Sequence, residues 1–171
     1  FNFVSRLLEE EGIFYFFEHK NGEHTMVLGD PVSSFKPMPY KNDKKVVCSE
    51  AAADGTRNRV VSWNHTYSFR TGNYTHNDYN FKKRITKLVG DESARKMKFK
   101  RSANFEVYDY HGRHEDVDRS KALAKIRMEE IEAAHNVGHG QGTCGTFYAG
   151  GKFTFDEHRS TFEEGKTYAV T

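Results

Sequence analysis

The sequence is poor in the residues that staple or stiffen a small protein. It holds two cysteines, three prolines and one tryptophan in 171 residues. Cys48 and Cys144 stand far apart with no CxxC, which excludes a disulfide-dense scaffold. Two readings of the pair stay open: reduced thiols, or one long-range disulfide. No uncharged apolar run outlasts Ile13–Phe17, far short of the roughly 20 residues a membrane-spanning helix needs. A dominant charge sign is missing too. Lys and Arg number 26 against 24 Asp and Glu, for a net charge of +2. That balance excludes a polyanionic or polycationic tail protein but leaves room for a local basic patch.

Hydrophobic residues make up only 36% of the chain, and mean hydropathy is −0.82. Aromatics, by contrast, reach 14%, with 14 Phe and 9 Tyr. Disordered chains are poor in aromatics, so the chain folds. Its length suits one ordinary domain or two small ones. Either much of its surface is wet, or part of its apolar surface is covered by something else. The chain opens at Phe1 inside a helical pattern and closes at Thr171 inside a strand pattern, so both ends are expected to be internal to a longer protein.

Residues 2–11 place Phe3, Val4, Leu7 and Leu8 on one helical face, and Gly12 is placed to stop the helix. Ile13–His19 and His24–Leu28 are rich in strand formers around Asn21-Gly22, the preferred pair for a type I′ hairpin turn. The three prolines crowd into residues 30–40, and residues 30–58 are expected to be a connecting segment. From 59 to 69 the residues alternate, with Val61, Trp63, His65, Tyr67 and Phe69 on one side. Trp63, Tyr67 and Phe69 are expected to pack a core. Tyr74–Lys83 reads as a partner strand with Tyr79 and Phe81 inward, and Phe105–Tyr110 as another strand. Residues 90–103 are charged and aperiodic, as an exposed loop would be. Asp116 or Asp118 caps a predicted helix through Asn136, buried on Leu123, Ile126, Ile131 and Ala134. Residues 138–145 read as a glycine-rich connection. Thr146–Phe155 and Thr167–Thr171 finish as strands.

Helices that do not alternate with strands argue against a parallel doubly wound sheet. The predicted class is α+β, mainly antiparallel β. A barrel-like module over residues 56–171, with a helix at 117–136, follows a helix-plus-hairpin submodule over residues 1–45.

Four groups of residues invite a chemical reading. Gly140, Gly142 and Gly145 satisfy GxGxxG, but here a helix precedes and a strand follows, the reverse of a dinucleotide site. His135, His139 and Cys144 could offer zinc three ligands, with no fourth in sight and no HExxH. His111, His114, Glu115 and Asp116 form a polar cluster in which a base could sit, yet turn and capping chemistry accounts for them. No catalytic, cofactor-binding or metal residue is therefore assigned, and no enzyme activity is expected. Finally, Lys82, Lys83, Arg84, Lys87, Arg95, Lys96, Lys98, Lys100 and Arg101 interleave with Tyr79, Phe81 and Phe99. A nucleic-acid-binding barrel would use such a stretch, residues 79–101, for phosphates and base stacking.

The opening string FNFVSRLLEEEGIFYFFEH (Phe1–His19) closely resembles the VgrG spike proteins of type VI secretion systems, which are related to phage tail hubs and the late control protein D. The resemblance continues, in order, through His24–Asp30, Val60–Gly72, Asn77–Lys83, Phe105–His114, Ala122–Ala133, Gly142–Phe155 and Thr167–Thr171. His111 stands where that family usually has Pro, and Gly145–Gly151 and residues 90–103 depart from its pattern. The resemblance implies a trimer in the intact parent protein, whose hub carries two barrel-like modules per subunit in a pseudo-sixfold ring. That ring would dock on an Hcp-like tube, with a needle, a PAAR tip and effectors beyond it. It implies assembly in the bacterial cytoplasm and then secretion or injection into a target cell. This chain would form the middle and later part of the hub, without nucleic acid as a partner and without stable membrane insertion.

Overall fold

The computed structural model describes residues 1–38, 46–48, 59–97, 99 and 101–171. In chain order the elements are helix α1 (Asn2–Glu10), strands β1 (Phe14–Lys20), β2 (Glu23–Gly29), β3 (Lys36–Pro37), β4 (Val46–Cys48), β5 (Arg59–Tyr67), β6 (Asn73–Asn77), β7 (Gly90–Ser93) and β8 (Glu106–Tyr110), helix α2 (Val117–Ala133), and strands β9 (Asn136–Gly142), β10 (Gly151–Glu157) and β11 (Thr167–Ala169). The chain divides into two compact units, Phe1–Gly12 with His65–Val137, and Ile13–Asn64 with Gly138–Thr171.

In the first unit, β6 lies between β7 and β8, antiparallel to β7 and parallel to β8. Helix α2 packs across β6 and β7. Asp116 caps α2, its side chain accepting from the Arg119 N–H at 2.8 Å. Between them lie Tyr74, Met97, Ala124 and Met128, with Ala94 and Ile131 alongside. The fully inward residues of α2 are Ser120, Ala124, Met128 and Glu132, an i, i+4 stripe. Sequence hydrophobicity pointed to Leu123, Ile126, Ile131 and Ala134 instead; the first three are half-buried and Ala134 is exposed. A small side chain stands at Ser120, the first position of the stripe, where Gly90 of β7 comes in close. A β-carbon on Gly90 would stand 2.6 Å from the Ser120 carbonyl oxygen. Helix α1 joins this unit through Glu11 to Arg119, Glu10 to Arg113 at 3.4 Å, and Gly12 against Ile126.

In the second unit, β1 and β2 form a hairpin in which Lys20 pairs with Glu23 across a two-residue turn. Gly22 alone takes a positive φ, 79°, so the turn is not the expected type I′, which needs one at Asn21 too. The larger sheet has the order β11-β10-β4-β5-β9, with β3 also paired to β10. Its core is Met38, Val46, Val60, Phe153 and Phe155, ringed by Trp63, Phe147, Tyr148 and Tyr168. The hairpin belongs to this unit through Phe16, which is buried, covers Gly150 and leaves no room for a side chain there. Glu18 pairs with Lys36, and Phe14 stacks on Phe35 at 4.5 Å between ring centres.

Several expectations change. The fold is mostly β with two helices among the described residues; the β1–β2 sheet is antiparallel, and the other two sheets also hold parallel pairs. Among the described residues the sheets do not close into a barrel. By their contacts, α1 groups with His65–Val137 and the hairpin with Gly138–Thr171. The left-handed Gly12 (φ 70°) separates α1 from β1, and each side finds its own contacts. Most of the expected connection at 30–58 lies outside the described residues. Tyr79 and Phe81 are exposed, because the strand ends at Asn77 with its inward positions filled by Tyr74 and His76. Residues 90–93 are strand, not loop, and buried Glu132 ties down the segment after them by accepting from the Lys96 and Met97 N–H groups. Tyr67 and Phe69 are also exposed; Trp63 alone of the three packs against the core.

Candidate interaction surfaces

An amphipathic helix normally buries its apolar stripe. Helix α1 has the stripe but buries none of its residues: Phe3 is 66% and Leu7 46% exposed. Strand β8 makes a second such surface. Among the described residues it pairs only with β6, and all five of its residues are exposed, Val107, Tyr108 and Tyr110 among them. A third lies on the outer side of the β1–β2 hairpin, where Phe17, Met26 and Leu28 are exposed. Contiguous apolar surface of this kind marks sites of association, and an unpaired strand edge can accept another strand.

Behind β8, the first unit holds a buried polar cluster. His76 of β6 donates from Nε2 to the Ser120 carbonyl at 2.8 Å. His114 donates from Nε2 to the Leu88 carbonyl at 2.7 Å, and the Ser120 hydroxyl donates to the same oxygen at 3.2 Å. The two imidazoles stack with centres 4.6 Å apart. Burial holds His76 below its ordinary pKa and the neighbouring His114 adds to this, while the Ser120 hydrogen bond opposes it. The chain reaches His114 through a tight turn in which His111 and Arg113 take φ of 77° and 55°. Asp78 locks that turn by accepting from the Tyr79 and Arg113 N–H groups, each at 2.7 Å. These bonds, the Tyr79 one foremost, hold the Asp78 carboxyl below its usual range. A cleft of about 380 Å³ opens beside it, lined by Tyr79, Phe81, Lys82, Arg113 and His114 among others.

Within HGRHED, then, His114 and Asp116 are structural, one bonded to the backbone and the other a helix cap. The GxGxxG glycines belong to β9 and the turn after it. A β-carbon on Gly138 would overlap the Trp63 ring, and one on Gly140 would stand 2.8 Å from it. Glycine is there to let the indole lie on the strand. His135 bonds Ser68 at 2.6 Å in the first unit, while His139 and Cys144 belong to the second. Among the described residues no group of three or more His, Cys, Asp or Glu is gathered as for a metal ion. Cys48 and Cys144 lie beside the same core cluster, and burial pushes the Cys144 thiol up to about 11. Of the basic stretch, Lys82, Lys83, Arg84, Lys87 and Arg101 are exposed, Arg95 pairs with Glu92 at 2.6 Å, and Lys98 and Lys100 lie outside the described residues. Sequence reading missed His76, Asp78 and the cross-strand pair His19 and His24. Only the last left a local signal, two histidines equidistant from a predicted hairpin turn.

Two β-rich units with an open strand edge and uncovered apolar faces are the features of a building block for an assembly. The family model of the phage tail baseplate hub (GPD) matches residues 1–171, and the chain belongs to that family. It is 28% identical to the type VI secretion system spike protein VgrG1a of Pseudomonas aeruginosa, over 99% of this chain and 27% of that protein. It is 32% identical to VgrG4b of the same organism, over 81% of this chain and 17% of that protein. A third relative is the actin cross-linking toxin VgrG1 of Vibrio cholerae, 26% identical over 92% of this chain and 14% of that protein. The chain thus spans about a quarter or less of the length of these relatives.

Proposed function

We propose that the chain is a structural hub segment of a type VI secretion spike. In this reading three copies of the parent protein form a ring that couples an Hcp-like tube to a needle. Its role is mechanical: packed β units pass axial force from tube to needle during injection. Effectors and a PAAR tip would engage other parts of the parent, and the hub segment itself performs no catalysis. The protein would assemble in the bacterial cytoplasm and leave by injection.

The observation that carries this reading is the match of all 171 residues to the baseplate hub family. The exposed α1 face and the open β8 edge support it, because a ring subunit needs surfaces that only neighbours cover. No helix among the described residues is long and apolar enough to cross a membrane. The test is the solution mass of the longer parent chain, by light scattering. A trimer is expected, and a parent that stays monomeric at high concentration overturns the reading.

One observation favours a second reading, a nucleic-acid-binding module. Tyr79 and Phe81 are exposed beside Lys82, Lys83 and Arg84. A salt titration against single-stranded nucleic acid separates the two. Binding that weakens steeply with salt supports the second reading; no binding at low salt removes it.

A further inference from the structure

We propose that His19 and His24 form a bidentate site for a late first-row divalent metal ion, copper(II) foremost, at the tip of the β1–β2 hairpin. The two residues face each other directly across the strands, and their Nδ1 atoms are 2.7 Å apart. The ring centres are 4.9 Å apart and the planes meet at 69°, so the rings converge through those two nitrogens rather than stacking. Both side chains are exposed, so an ion reaches them from solvent. Only Asn21 and Gly22 lie beyond the closing Lys20–Glu23 pair, which holds the register and the convergence.

The donor set selects the ion. Side chains alternate across a strand, so Glu18 and Glu23 lie on the opposite side from the histidines, and Glu18 is paired there with Lys36. The site therefore offers two imidazole nitrogens and no carboxylate. The next pair on the histidine side is Phe17 and Met26, which adds only a ring and a thioether. Nitrogen donors suit copper, nickel and zinc; magnesium, calcium and manganese want oxygen.

Geometry narrows the choice. With metal–nitrogen bonds of ~2.0–2.1 Å, ligands at a right angle stand ~2.9 Å apart and ligands at the tetrahedral angle ~3.3 Å apart. The observed 2.7 Å lies nearer the first, so the rings need open by only a few tenths of an ångström for a tetragonal ion. Copper(II) also stands at the top of the affinity order for such sites. At this spacing the neutral pair shares one proton between the Nδ1 atoms. On binding, that proton leaves Nδ1 and the same ring is protonated at Nε2 from solvent. Both lone pairs then face the ion with no net proton lost. Water fills the remaining positions.

The test is calorimetric titration of the 171-residue chain with copper(II), zinc(II) and magnesium in a non-chelating buffer. One saturable copper equivalent in the micromolar range is expected, weaker zinc binding, and none for magnesium. His19→Ala and His24→Ala should each weaken copper binding by about tenfold or more. Absence of saturable copper binding, or a His24→Ala titration that superimposes on the parent, overturns the proposal. A second measurement needs no substitution. Copper should protect His19 and His24 together from diethylpyrocarbonate, mapped by mass spectrometry, and equal modification with and without the metal overturns it.

Discussion

The Trp63 indole lies where a side chain on Gly138 would otherwise stand, with a β-carbon there overlapping the ring. The ring also packs edge-on against Phe155 at 5.0 Å and against Tyr168 at 4.8 Å between centres. It is thus held on several sides.

Gly138→Ala is therefore expected to destabilise the protein by about 1–3 kcal/mol, the usual cost of overpacking. Gly145→Ala is the control. Nothing lies within 4 Å of a β-carbon at Gly145, and its φ is not positive. Chemical denaturation should move the Gly138 variant's midpoint down and leave the other within error.

Stability should fall with acid through the His76 cluster. The folded pKa of His76 lies below its ordinary 6.5, so the fold holds the neutral ring while the unfolded chain binds the proton more readily. The contribution is fully present above pH 6.5 and is lost as pH falls from there through the lower folded value. Two groups facing His76 deepen the effect, His114 and Arg127, and Asp109 opposes it. Denaturation midpoints taken every half pH unit should show this slope, and His76→Gln should flatten it.

Asp116→Ala removes the acceptor for the Arg119 N–H and leaves that helix end without its cap. The expected loss is about 0.5–2 kcal/mol. Asp116→Ser should recover most of it, since a serine hydroxyl accepts the same bond. Equilibrium unfolding of the two variants checks both statements.

Cys144 should resist thiol reagents while the protein is folded. Its pKa of about 11 leaves little thiolate at pH 8. In a Cys48→Ser background, labelling with a chromogenic disulfide should be slow in buffer and fast in denaturant.

Phe3→Asp and Leu7→Asp should leave the isolated chain folded, because neither side chain is buried. In the longer parent they should weaken the proposed trimer. Circular dichroism and light scattering together separate a folding defect from an assembly defect.

What could be read from the sequence was whatever depends on near neighbours in the chain. The periods of α1 and β5, the start of α2 with its Asp116 cap, and the Asn21-Gly22 turn position rest on local sterics and local hydrogen bonds, and each stands within a residue or two of its expected place. The family, too, was legible, because the strings that mark it are collinear. Tertiary structure decided the rest. The parallel pairing of β6 with β8 joins segments some thirty residues apart, and nothing in either segment specifies its direction. The buried stripe of α2 was set by what it meets: Gly90 comes in close at Ser120, and Tyr74 and Met97 pack with Ala124 and Met128. The glycine-rich run became a strand because Trp63 needed a surface without side chains. His19 and His24 lie close in sequence, yet only the register of the hairpin brings their Nδ1 atoms to 2.7 Å. Periodicity states which residues share a face; long-range packing determines what that face meets.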